Sequence, residues 1–169
     1  PPVLAHLPLE EIPATQGNSD YLAVFLSGDG GWAGLDKEVA DGLAARGIPV
    51  VGWDSLRYFW SARTPEGVAA DTRTVIEHYL AHWRKQKVIL IGYSQGANVL
   101  PFILNRLPAD TQSKVAVAVM MGLEEKAAFE FHLSNWISES DGLPIAPEIA
   151  TLPAIEALCL YGSDDTESA

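Results

Sequence analysis

The chain has 169 residues, 48% of them hydrophobic, which suits one domain with a sizeable core and excludes a disordered or fibrous chain. Its formal net charge of −11 repels phosphate backbones and anionic headgroups, so nucleic-acid binding is not expected and cationic partners are favoured. The longest apolar runs are too short to span a bilayer, and the opening Pro1-Pro2-Val3 lacks the basic start and apolar stretch of a signal peptide, which leaves the compartment open.

Residues 4–12, short and flanked by proline, read as an edge strand or an extended lead-in. Residues 21–26 form an unbroken apolar run that stops at Ser27-Gly28-Asp29-Gly30-Gly31, as a fully buried strand of a parallel sheet would. Leu35, Val39 and Leu43 recur every four residues and predict a helix over 35–45, with Gly47 as its C′ residue. A second buried strand follows at 48–52. Residues 54–63 read as a loop rich in aromatics, with Tyr58, Phe59 and Trp60. Thr64-Pro65-Glu66 then offers an N-cap, a first-turn proline and an early acid. The helix it opens runs to about Trp83, with Val68, Thr72, Val75, Ile76, Tyr79 and Trp83 on one face. A third strand at 87–91, a helix over 96–106 kinked at Pro101, and strands at 115–121 and 155–161 complete the series. Cys159, inside the last apolar run, reads as a buried thiol.

This alternation predicts a single α/β domain over residues 1–169, with a mostly parallel sheet and helices on both faces. Residues 122–153, with Phe129, Phe131, Trp136 and several prolines, break the rhythm. They read as a lid-like excursion over the sheet's carboxyl edge, where open α/β sheets bind ligands.

Gly92-Tyr93-Ser94-Gln95-Gly96 fits G-x-S-x-G, follows the third strand directly and opens a helix. That is the context of a nucleophile elbow in an α/β-hydrolase-like fold, so Ser94 is the candidate nucleophile. The helix N-terminus beneath it supplies N–H groups for a developing oxyanion. The loop Ser27-Gly28-Asp29-Gly30-Gly31-Trp32 lies where such folds contribute one oxyanion N–H. Asp29 is the candidate donor, Gly30 is its alternative and a candidate substrate contact, and Gln95 is the second donor. A phosphate cradle is disfavoured, because the run lacks both the Gly-Lys-Ser/Thr ending and the dinucleotide spacing; no cofactor is expected. His78 and His82 lack an intervening Glu or a third ligand, so no metal is expected either.

The triad acid is expected downstream, after the fifth strand, where Tyr161-Gly162-Ser163-Asp164-Asp165 stands. Asp165 is the first choice, then Asp164 and Glu167. The general base should follow the acid, yet His6, His78, His82 and His132 all precede it. The expectation is a C-terminally truncated domain lacking its last strand, the base and a closing helix, with little turnover by residues 1–169 alone.

Four segments together resemble the bacterial virulence protein family of VirJ and AcvB, over about residues 7–169. They are the loop at 27–32, Asp54-Ser55-Leu56-Arg57-Tyr58-Phe59-Trp60, Gly92-Tyr93-Ser94-Gln95-Gly96-Ala97 and Asn105-Arg106-Leu107-Pro108. The resemblance implies a periplasmic α/β-hydrolase domain linked to virulence and type IV secretion, and AcvB-like members imply hydrolysis of lysyl-phosphatidylglycerol. It aligns Ser94 with the family serine, the acid with the loop after Gly162, and the histidine with a segment beyond residue 169. It also implies a second cysteine there, able to pair with Cys159. Gln95 and Asn98 stand where an aromatic residue and an acid are expected.

The expected function is a serine esterase that cleaves an aminoacyl phospholipid, or another ester, through an acyl-enzyme. Tyr58 and Trp60, with Phe59 and the region around Trp136, are candidate lipid contacts. Peripheral membrane contact and secretion-system proteins are the expected partners. The alternative is a non-catalytic scaffold for secretion components that keeps the hydrolase fold.

Overall fold

The structure is a computed structural model that describes residues 4–131 and 142–163. His132, Trp136, Asp164, Asp165 and Glu167 lie outside the described residues. Six strands form one sheet: β1 (Leu9–Ile12), β2 (Tyr21–Leu26), β3 (Val50–Trp53), β4 (Lys87–Tyr93), β5 (Val115–Met121) and β8 (Glu156–Leu160). Their order is β1-β3-β2-β4-β5-β8. The β1–β3 pair is antiparallel and every other pair is parallel.

Central β2 shows why an unbroken apolar run is required. Leu22, Val24 and Leu26 point into the larger core cluster, which holds residues of α3 (Pro65–His82) and α4 (Gln95–Arg106). Ala23 and Phe25 point the other way, into a cluster shared with Ala40 of α1 (Leu35–Ala44). Helices thus cover both faces, and residues 22–26 are fully buried. Each Leu- or Phe-sized side chain so buried contributes about 1.5–3 kcal/mol.

The helices follow the sequence signals, with two corrections. Thr64 caps α3 by accepting the Gly67 N–H at 3.1 Å, and Val68, Thr72, Val75, Ile76 and Tyr79 are buried on its inner face. Gly47 closes α1 at a φ of 85°. There Ile48 N–H bonds the Leu43 carbonyl and Gly47 N–H the Ala44 carbonyl, a Schellman ending. The stripe that α1 buries, however, is Asp36, Ala40 and Ala44, and Leu35 is 42% exposed. Small residues let the helix lie close on the sheet, so the larger side chains flank the contact. The segment after β3 is likewise not all loop. Asp54 accepts the Arg57 N–H at 3.0 Å and caps the short α2 (Ser55–Tyr58).

The excursion is tied down where it is described. A two-stranded ladder joins β6 (Lys126–Ala127) to β7 (Leu143–Pro144), and α6 (Ala146–Ala150) follows, the next helix after the one-turn α5 (Ala109–Gln112). Glu148 of α6 meets the Arg106 guanidinium with both carboxylate oxygens, at 3.0 and 2.9 Å, and also accepts from Asn105 at 2.6 Å. Among the described residues strand β8 pairs only with β5, and all five of its residues are exposed. Cys159, read from its apolar neighbours as a buried thiol, is exposed on this strand. No helix among the described residues is long and apolar enough to cross a membrane.

Candidate active site

Ser94 stands between the last residue of β4 and the first of α4, at φ 50° and ψ −112°. A non-glycine residue rarely holds that conformation, so the surroundings must enforce it. On the strand side, Ser94 N–H bonds the Met121 carbonyl at 2.8 Å, which extends the β4–β5 ladder by one residue. On the helix side, Asn98 N–H bonds the Ser94 carbonyl at 2.9 Å. The turn between is so tight that a Cβ at Gly92 would collide with the Gly96 backbone, and one at Gly96 with the Leu26 carbonyl. The two glycines of G-x-S-x-G are thus steric requirements.

The glycine loop after β2 packs directly against this turn. A Cβ at Gly28 would lie 3.6 Å from the Ser94 Cβ and 3.3 Å from the Tyr93 ring. Ser27 pins the loop's base. Its hydroxyl donates to the Gly28 carbonyl at 3.0 Å and accepts the Ser55 N–H at 2.9 Å, and its own N–H bonds the Trp53 carbonyl. Gln95 is the first residue of α4, so its N–H has no acceptor within the helix. Its side-chain amide donates to the Ala128 carbonyl and holds the excursion over the helix start.

Two cavities meet at Ser94 and Asp29. One, of about 210 Å³, is also lined by Gln95, Glu124, Ala128, Glu130 and Phe131. Asn98 fixes Glu124 there, donating to its carboxylate at 2.6 Å and accepting its N–H at 2.9 Å. The other, of about 320 Å³, runs along Gly28–Gly31 to Leu35, Asp36 and Tyr93. Burial pushes the Asp36 carboxyl up to about 6; the Ala33 N–H opposes this, and the charge of Asp54 adds to the rise. No described histidine lines either cavity.

Ser94, Asp29, Gly30 and Gln95 therefore come together, with Gly30 on the second cavity. Asp165 lies outside the described residues. Tyr58 and Trp60 do not join them. Tyr58 is 1% exposed, its hydroxyl donates to Asp71 at 2.5 Å, and the Arg63 guanidinium lies 4.3 Å over its ring. It is a core residue, not a substrate contact. Trp60 is exposed but lines neither cavity. Phe59 stacks edge-on with Phe129 and Phe131, so this aromatic segment supports the excursion from beneath. The sequence reading missed Glu124 and Asp36. The only hint of Glu124 was Asn98, a polar residue at a position where α4 is buried.

A family model described as bacterial virulence protein (VirJ) matches residues 20–169. No curated protein matches the chain. Among solved structures, Est1E from Butyrivibrio proteoclasticus is 11% identical at a TM-score of 0.63, over 95% of this chain and 75% of that one. A protein described as a thioesterase from Silicibacter sp. is 15% identical at 0.61, over 92% of this chain. One described as a dienelactone hydrolase from Klebsiella pneumoniae is 13% identical at 0.60, over 95% of this chain and 69% of that one. The chain spans 62% of the length of the Silicibacter protein. At these identities the likeness establishes the fold, that of the α/β hydrolases.

Proposed function

The chain belongs to the VirJ family of bacterial virulence proteins, and we propose that it is a serine hydrolase that cleaves an ester through an acyl-enzyme. One observation carries the proposal: Ser94 is held at φ 50° between β4 and α4, against the glycine loop. The strain is maintained by two glycines and a ladder bond, and a serine without a reaction to perform has no need of it. Ser94 attacks the ester carbonyl, and the N–H groups of Asp29 and Gln95 receive the oxyanion. Asp165 orients the histidine that takes the Ser94 proton, in the chain order Ser, acid, His.

The substrate proposed is the lysyl ester of lysyl-phosphatidylglycerol, met in the periplasm in connection with type IV secretion. The carboxylates of Asp29, Glu124 and Glu130 around the first cavity suit a cationic aminoacyl group. A fluorophosphonate probe on the full-length protein tests the nucleophile. The expected result is an adduct on Ser94, found by mass spectrometry and lost in Ser94→Ala; an unlabelled Ser94 would refute the proposal. Vesicles holding lysyl-phosphatidylglycerol test the substrate, with free lysine as the product. Fractionation of cells that make the tagged protein tests the compartment. The scaffold reading, in which the same fold serves only for binding, expects an unlabelled Ser94.

A further inference from the structure

Another cavity, of about 170 Å³, opens beside α2, between residues 5–8 of the lead-in and Arg57, Tyr58 and Arg63. It shares no lining residue with the two cavities at Ser94. No carboxylate lines it, while Arg57, Arg63 and His6 do. The chain has 22 acidic residues against 11 Lys and Arg, so pairing each guanidinium with an acid is the ordinary outcome. Among the described residues, however, neither Arg57 nor Arg63 makes an ion pair. Asp71 stands close by but is engaged elsewhere: its Oδ2 takes the Tyr58 hydroxyl, and its Oδ1 lies 3.9 Å from His6 Nε2. Two like charges facing one cavity repel each other, and a bound anion relieves the repulsion. The walls are also fixed. Arg63 Nε donates to the Tyr58 carbonyl at 3.0 Å, its guanidinium lies 4.3 Å over the Tyr58 ring, and its backbone N–H bonds the Phe129 carbonyl at 2.9 Å. Leu7 N–H bonds the Leu4 carbonyl and Asp54 N–H the Pro8 carbonyl, which ties the lead-in to the start of α2. The Nη donors of Arg63 and the whole guanidinium of Arg57 have no acceptor among the described residues.

We propose that this cavity is a binding site for a phosphate group, independent of the reading of Ser94. Two guanidiniums, from α2 and from the segment before α3, and the imidazole of the lead-in reach it from three parts of the chain. That suits a tetrahedral anion with several acceptor oxygens. A planar carboxylate is satisfied by one guanidinium fork and leaves the second unpaired. The cavity is smaller than the roughly 300–1,000 Å³ of sites that enclose whole ligands, so it takes the phosphate group and not a nucleotide or cofactor attached to it. Because Arg63 is already oriented, little side-chain entropy is lost on binding. The group arrives either as free phosphate or as the headgroup of an anionic phospholipid. The net charge of −11 weakens long-range attraction for both, so the contacts themselves must supply the affinity. Trp60, 55% exposed, lies between the two arginines in sequence and suits the membrane interface if the source is a lipid.

Calorimetric titration of the full-length protein with inorganic phosphate at constant ionic strength tests the site, with acetate as the planar control. Saturable binding is expected for phosphate and not for acetate. Arg57→Gln and Arg63→Gln should each weaken phosphate binding about tenfold. Arg57 is exposed, so Arg57→Gln serves if Arg63→Gln, which also loses the bond to Tyr58, does not fold. Vesicles separate the two sources. With a headgroup as the ligand, phosphatidylglycerol vesicles retain the protein and phosphatidylcholine vesicles do not, and both Arg57→Gln and added inorganic phosphate abolish the retention. With free phosphate as the ligand, neither vesicle retains the protein while the phosphate titration still saturates. Absence of saturable phosphate binding overturns the site, as does unchanged affinity in Arg57→Gln or equal binding of acetate.

Discussion

Ser94 keeps a left-handed φ because three neighbours leave it no alternative: Gly92, Gly96 and the Met121 carbonyl that takes its N–H. Adding a methyl group at Gly96 drives it into the Leu26 carbonyl, so Gly96→Ala should cost more than about 2 kcal/mol, and urea melts would show it. Asp36 makes a second residue-scale prediction. Its folded-state pKa rises from 3.8 to about 6, so between those values the folded protein binds a proton that the unfolded chain has released. Stability from this group therefore falls as pH rises from about 4 to about 6, and stays lower above. Asp36→Asn should melt at a higher temperature than the parent at pH 8, and the difference should close by pH 4; a constant difference would contradict the sign. Ser94 was legible because a pentapeptide in a strand–helix context specifies its geometry. Asp36 and Glu124 were not, because their importance comes from burial and from contacts across the chain, which local pattern does not carry. Tyr58 was misread for the same reason: an aromatic in a segment read as a loop looks like a contact until Asp71 and Arg63 enclose it.

Element ends supply the next test. Helix α3 closes as α1 does, with Lys85 N–H on the Leu80 carbonyl and Arg84 N–H on the Ala81 carbonyl. The residue in the left-handed position is Arg84, at φ 53°, where α1 has Gly47. Arg84→Gly should therefore stabilise the protein by about 1 kcal/mol, read from chemical denaturation. The clamp of Arg106 and Asn105 on Glu148 joins α4 to α6. Solvent at its rim limits its worth, so Glu148→Ala should cost about 1 kcal/mol. It should also raise hydrogen exchange in α6 more than in the sheet. The clamp gives the Asn-Arg-Leu-Pro segment a physical role, fastening the excursion. Strands and helix starts were legible here because burial on two faces and capping leave strong local marks. The buried stripe of α1 was not, since close packing selected Ala40 and Ala44 over the larger Leu35.

Across the whole molecule, the net charge of −11 makes a kinetic prediction. If the substrate is cationic, kcat/KM for an ammonium ester should fall several-fold as ionic strength rises from about 0.01 to 0.15 M, while a neutral ester stays level. Equal salt response of the two esters would exclude long-range steering. The sheet and its two helix layers were legible as a whole, because alternating strand and helix signals admit few arrangements. The exposure of β8 was not, since its apolar residues read as core until the strand is seen with a single neighbour among the described residues.

Two main-chain bonds at the sheet's end have a mechanical implication. Ser94 N–H rests on the Met121 carbonyl, and Gly122 N–H on the Leu160 carbonyl. The serine turn, the root of the excursion and the segment after β8 are thereby levelled on one rim, with β5 as the shared rung. One residue inserted in β5 would slide both tethers by a strand step, about 3.3 Å, and put three loops out of alignment at a stroke without touching any of them.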